Sequence, residues 1–221
     1  VGAIIGTGIF VLIGTAIVGD AVRLGAGPGI TLSFLLSGLA CVVAALCYAE
    51  FAAMIPVSGS AYTYSYATLG EFIAWITGWN LILEYGVASV AVAIGWSGYF
   101  NKLLQIAGIY LPDWATHAPG GPEGGVINLP AMIIVLLCTW MLVVGIKESA
   151  RITTIIVVIK LVVIGFFIAV GADQVDTANW SPFMPNGFAG VGAAAAIVFF
   201  AYIGFDAVST TAEEARNPQR D

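Results

Sequence analysis

The chain has 221 residues, of which 60% are apolar and 9% charged. Soluble domains carry about 25% charged residues, so this composition excludes a water-surrounded globule, which needs a polar surface. The formal net charge of −6 rests on few groups, and without a Lys/Arg cluster nucleic acid is not an expected partner.

A membrane helix needs about 20 apolar residues, and runs of that kind recur along the chain. Six spans are predicted, at 1–19, 29–55, 72–100, 126–146, 152–172 and 188–209, giving an all-α polytopic membrane protein. The first residue already lies in an apolar run with no initiator Met. A truncated chain is therefore expected and not a signal peptide, which a soluble mature domain would follow. Residues 1–221 are read as a single transmembrane fragment.

The connections are rich in turn formers. Asp20 to Pro28 holds Gly25, Gly27 and Pro28; Pro56 to Gly70 alternates tyrosines with small polar residues, as an interfacial segment would. Asn101 to Asn128 is the longest connection, and its His117 reads as a solvated surface residue. Lys147 to Arg151 reads as a tight charged turn, and Asp173 to Pro185 as an outer loop. Cys41, Cys47 and Cys138 sit in apolar runs with no metal-ligand or disulfide spacing, and read as small buried hydrophobes.

Lys and Arg set orientation. Lys147, Arg151, Arg216 and Arg220 fall on one side, Arg23 and Lys102 on the other. This bias places the N-terminus and residues 213–221 in the cytoplasm of a multi-pass cell-membrane protein.

Two spans contain what ordinary packing helices avoid. The first reads Gly2-Ala3-Ile4-Ile5-Gly6-Thr7-Gly8; the sixth, from Phe199 to Asp206, sets Gly204 near an intramembrane carboxylate. Glycine costs about 1 kcal/mol in a helix interior. Gly2 and Gly6, four apart, also suit a close-packed helix interface. The pairing favours the other reading, because the first and sixth spans are corresponding positions of a five-plus-five inverted repeat, where interrupted helices mark a substrate site. No Walker lysine accompanies these glycines, which excludes a nucleotide loop.

If the first span unwinds at Ile5–Thr7, a half-helix starts near Gly8 with free amides and a positive dipole end. Such an end holds a carboxylate. Carbonyls freed at Ala3, Ile4 and Ile5, and at Phe200, Ala201 and Ile203, accept from an ammonium. Donors facing acceptors suit a zwitterion such as an L-amino acid.

The run GAIIGTGIF, the segment from Pro56 to Tyr85 (PVSGSAYTYSYATLGEFIAWITGWNLILEY) and the segment from Phe199 to Asp221 (FFAYIGFDAVSTTAEEARNPQRD) together resemble the amino acid–polyamine–organocation superfamily, most nearly its cationic amino acid transporter branch. The resemblance implies the first half of an inverted-repeat transporter of twelve to fourteen helices, whose remaining C-terminal helices complete the fold. It implies that Gly6, Thr7 and Gly8 hold the substrate carboxylate. Phe200, Ala201 and Ile203 lie at the break that holds the amino group, with Phe200 closing over the substrate.

Three charged residues lie deep in the spans. Lys160 is nine residues past Arg151, about 13 Å deeper along a helix, where a charge costs about 2.5–3.5 kcal/mol. A structural tie to backbone carbonyls is one reading. The other, supported by the family's proton-coupled members, is a proton-exchanging lysine. Glu84 either faces the cavity and favours cationic substrates or pairs within the bundle. Asp206 reads as an anchor of the second half of the sixth helix.

The resulting expectation is a secondary amino-acid transporter working by alternating access with H+ as coupling ion, with no cofactor, metal or catalytic residue. An exchanger without a proton step, or a non-transporting receptor or assembly protein on the same fold, are the rivals. A membrane enzyme is not expected, since no span offers a nucleophile–base pair or metal-ligand cluster.

Overall fold

In hydrocarbon the backbone must satisfy its own hydrogen bonds, so apolar runs of this length become helices. The computed structural model describes residues 5–120, 124–144, 146–214 and 217. Among them no strand forms; isolated bridges join Gly19 to Leu24 and Pro119 to Gly125.

The first run is a π-helical turn, Gly8–Leu12, continuing into α1 (Ile13–Val18). Then follow α2 (Ile30–Met54), α3 (Ser60–Leu69), α4 (Glu71–Ile106), α5 (Leu129–Val144), α6 (Ile146–Gly171) and α7 (Gly187–Val198). Among the described residues four stretches are long and apolar enough to cross a membrane: Gly27–Met54, Glu71–Ile106, Ile152–Gln174 and Gly187–Thr210. Gly8–Val18 and Leu129–Val144 are shorter apolar helices.

Several connections differ from expectation. The tyrosine-rich segment is largely a helix, α3, because Ser60–Leu69 contains no glycine or proline; Gly59 and Gly70, the latter at φ 90°, bound it. Similarly, α4 runs on to Ile106 and ends before Gly108, at φ 80°. The expected turn at Lys147–Arg151 is instead helical backbone, the start of α6, since Lys-Glu-Ser-Ala-Arg holds no helix breaker. His117 is half-buried and tied into its loop, with Nδ1 3.0 Å from Thr116 Oγ1. Of the cysteines only Cys41 is buried; Cys47 and Cys138 occupy exposed faces.

The chain divides into two compact units, residues 1–84 with 170–221 and residues 85–169. In the first, α2 and α7 form the main helix pair. Ser33 Oγ donates to the Val191 carbonyl and Ser37 Oγ to that of Ala195, each at 2.8 Å. The two serines are four residues apart, as are their acceptors, so one stripe of each helix meets the other. Ala16, Ala26, Ile30, Ala194, Ile197 and Val198 form the core beside this seam. The loop before α2 is tied to the start of α7, where Asn186 Nδ2 donates to the Gly25 carbonyl at 2.8 Å.

In the second unit, Asn128 Oδ1 accepts from the Ala131 amide at 3.1 Å, capping the start of α5, and from Ser97 of α4 at 2.7 Å. Along α6 the apolar side chains of Ile155, Val162, Phe166 and Phe167 are exposed, as on a helix that meets lipid or further helices.

Candidate functional site

Ile5 and Gly6 form a bend and Thr7 is already helical, at φ −54°. The Gly6 carbonyl accepts from Ile9 and Phe10 at 3.1 and 3.3 Å. The leading N–H groups of a helix have no intrahelical acceptor; here they belong to Thr7 and Gly8, ahead of Ile9. Gly8 is buried, while Ile5, Gly6 and Thr7 are half-buried. Ile4, also expected at this site, lies outside the described residues.

The sixth run breaks where expected. α7 stops at Val198, a 3₁₀ turn covers Phe199–Ala201, and helical hydrogen bonding resumes as 3₁₀ only at Asp206–Glu214. Between them Gly204 sits at φ 109°, a conformation glycine adopts without strain. Asp206, buried, accepts from the Gly204 amide through Oδ1 at 3.2 Å. That bond anchors the start of the second half.

The start of the first helix meets the break of the sixth run. A Cβ built on Gly8 would lie 2.6 Å from both the Ala201 nitrogen and the Ala201 Cβ, closer than real Cβ contacts come. Only hydrogen on Gly8 lets the start of the first helix touch the backbone of the sixth-run break. The leading amides of Thr7 and Gly8 are thus brought to the segment carrying the Phe200, Ala201 and Ile203 carbonyls. Ala201 is buried, and Phe200 and Ile203 half-buried.

Side chains tie the break segment to α2. Tyr202 Oη donates to the Phe34 carbonyl at 3.0 Å, and its ring meets Phe34 edge-on at 6.2 Å. Phe205 meets Tyr48 edge-on at 5.8 Å, and Tyr48 meets Tyr64 of α3 at 6.0 Å. Glu84 on α4 is half-buried and within electrostatic reach of Asp206 and Tyr48. Lys160 is half-buried on α6 and belongs to the second unit.

The start of the first helix therefore lies against the interruption between Val198 and Asp206, and comparison with known proteins shows the family in which this arrangement occurs. The amino acid permease family model matches residues 1–221. The chain belongs to the amino acid permease family. That makes it a multi-pass membrane protein of a family of permeases and not of enzymes. The whole chain is 57% identical to 47% of the branched-chain amino acid permease BcaP of Bacillus subtilis, and 52% identical to 47% of that organism's methylthioribose transporter. It is 41% identical to 39% of the chloroplastic cationic amino acid transporter 9 of Arabidopsis thaliana. The chain thus spans less than half the length of each of these relatives.

Sequence reading passed over Tyr202, Gly38 and the serine pair. The Ser33–Ser37 spacing in an otherwise apolar helix is a legible sign of a polar seam. Tyr202 carries no such sign, because the carbonyl it reaches is 168 residues away.

Proposed function

We propose that this permease-family chain is the first part of a secondary amino-acid transporter that works by alternating access. The observation that carries the reading is the contact of Gly8 with Ala201. It sets helix-start amides against carbonyls released from a helix ladder, and these two groups complement the carboxylate and ammonium of a zwitterion. In this reading Gly6, Thr7 and Gly8 hold the carboxylate. The carbonyls of Ile4, Ile5, Phe200, Ala201 and Ile203 hold the ammonium, and the Phe200 ring closes the site.

Completion requires the helices that lie beyond this chain, which supply the second half of the inverted repeat. The six spans, with the N-terminus and residues 213–221 in the cytoplasm, belong to the same reading, as does L-amino acid as the substrate class. Glu84 favours a cationic side chain. Lys160, charged and far along an apolar helix, exchanges the coupling proton.

A second reading has a specific motive. At 52% identity the methylthioribose transporter is nearly as similar as the branched-chain permease, and methylthioribose has neither carboxylate nor ammonium. The same first-half scaffold then serves a neutral sugar thioether.

The test is uptake into vesicles holding the full-length protein, with the twenty proteinogenic L-amino acids and methylthioribose as labelled substrates, with and without a pH gradient. Gradient-driven accumulation of an amino acid supports the main reading, and uptake of methylthioribose alone replaces it with the second. An unchanged ratio of arginine to leucine uptake in Glu84→Gln would remove Glu84 from the site.

A further inference from the structure

We infer that Tyr202 is a positioning residue: by donating its hydroxyl to the Phe34 carbonyl beside Gly38, it sets how the Ala201 carbonyl faces the Gly8 turn. The inference rests on the substrate site proposed above.

Three observations converge on it. First, the backbone from Phe200 to Phe205 lies beyond the α-helical ladder: α7 stops at Val198, the Phe199 N–H makes its last bond to Ala195, and Tyr202 N–H bonds to the Phe199 carbonyl at 2.9 Å. A segment without a ladder takes its orientation from the side chains that anchor it. Second, Tyr202 Oη donates to the Phe34 carbonyl at 3.0 Å. In α2 that carbonyl also receives the Gly38 amide one turn on, so the phenol uses its second lone pair. In an apolar surrounding a hydroxyl left without a partner is costly. Third, a Cβ on Gly38 would stand 3.0 Å from Tyr202 Oη, 3.3 Å from Cζ and 3.6 Å from Cε1. A methyl group at Gly38 would therefore press on the hydroxyl, which would have to give by a few tenths of an ångström.

Ala201 and Tyr202 are adjacent and meet different neighbours. Ala201 meets Gly8 through its backbone, while Tyr202 meets α2 through its side chain. Pulling Tyr202 on or off α2 rotates the peptide planes on either side of it, which carry the Ala201 and Tyr202 carbonyls. Tyr202 does not itself touch the substrate in this arrangement.

The experiment is a double-mutant cycle in the full-length detergent-solubilised protein. Its probe is whichever of the twenty proteinogenic L-amino acids the parent binds most tightly, and unfolding temperature is measured on the same preparations. Tyr202→Phe keeps the ring and removes the bond; it should weaken binding about three- to tenfold. Gly38→Ala pushes the hydroxyl from the other side and should weaken binding comparably. The double variant should bind no worse than the weaker single variant, because both changes break one bond and phenylalanine lacks the atom nearest the new methyl group.

Parent affinity in Tyr202→Phe, with only the unfolding temperature lowered, would make the residue structural and overturn the inference. Losses of affinity that simply add in the double variant would overturn it as well. Gly8→Ala separates this failure from failure of the site. If Gly8→Ala loses binding while Tyr202→Phe does not, only the role of Tyr202 falls. If Gly8→Ala binds like the parent, or the parent binds no amino acid, the substrate site falls and the role of Tyr202 with it.

Discussion

A single added methyl group on Gly8 would stand 2.6 Å from the backbone nitrogen of Ala201, nearly two hundred residues further along the chain. The contact is backbone to backbone, so no rotamer change relieves it. It makes Gly8 and Ala201 one structural unit, in which the start of the first helix and the break of the sixth run hold each other in place.

Gly8→Ala should therefore weaken substrate binding at least tenfold, and Gly8→Val should abolish it. Neither change adds a polar group, so membrane insertion should remain as in the parent. Equilibrium binding to the purified full-length variants, compared with their yield in the membrane, checks both statements. Parent-like affinity in Gly8→Val would remove the proposed site.

Ser33 and Ser37 join α2 to α7 through side-chain hydroxyls on backbone carbonyls. Interhelical hydrogen bonds in membrane proteins are worth about 0.6 kcal/mol each. Replacing both serines by alanine should cost about 1 kcal/mol of stability, read as an earlier midpoint in detergent-induced unfolding. The acceptor carbonyls keep their helical partners, so a collapse of the fold is not expected. An unchanged midpoint would mean the two bonds add nothing to the helix pair.

Lys160→Ala should separate binding from coupling. If its amine exchanges the coupling proton, the variant loses accumulation driven by a pH gradient, yet it still binds substrate at the first-helix amides. Exchange of internal for external substrate survives, since exchange needs no net proton release. Binding, exchange and gradient-driven uptake measured on one preparation decide the matter. Gradient-driven accumulation equal to the parent's rules out proton coupling through Lys160, and joint loss of binding and stability assigns it a structural role.

A different pH dependence belongs to the loop before α2. The Asp20 carboxylate accepts from the amides of Val22 and Arg23, both at 2.8 Å. The Val22 bond first, then that of Arg23, holds its carboxyl below the ordinary carboxylate range. The unfolded chain thus binds a proton more readily than the folded one. The contribution is complete above the unfolded value, about pH 4, and is lost as pH falls through the lower folded value. Asp20→Asn should flatten this acid limb of unfolding temperature against pH. An identical limb in parent and variant would show that Asp20 plays no part in it.

Membrane class, the helical runs and the interruption after Val198 were legible in the sequence, because each depends on local chemistry. Apolar length demands an internally bonded backbone, and Gly204 and the Gly6-Thr7-Gly8 run lower the cost of leaving it. The reading failed where polarity alone was taken to mark a connection. α3, the end of α4 and the start of α6 contain no helix breaker, and so they are helices despite their polarity. Tertiary structure alone decided that Gly8 meets Ala201, that Ser33 and Ser37 face α7, and that Tyr202 finds Phe34 beside Gly38. Those relations join residues about 160 positions apart or more. Glycine at position 38 or 190 looks in the sequence like any other small residue of a packed helix. Its purpose appears only with the atom that fills its space: the Tyr202 hydroxyl in one case, the Gly25 carbonyl in the other.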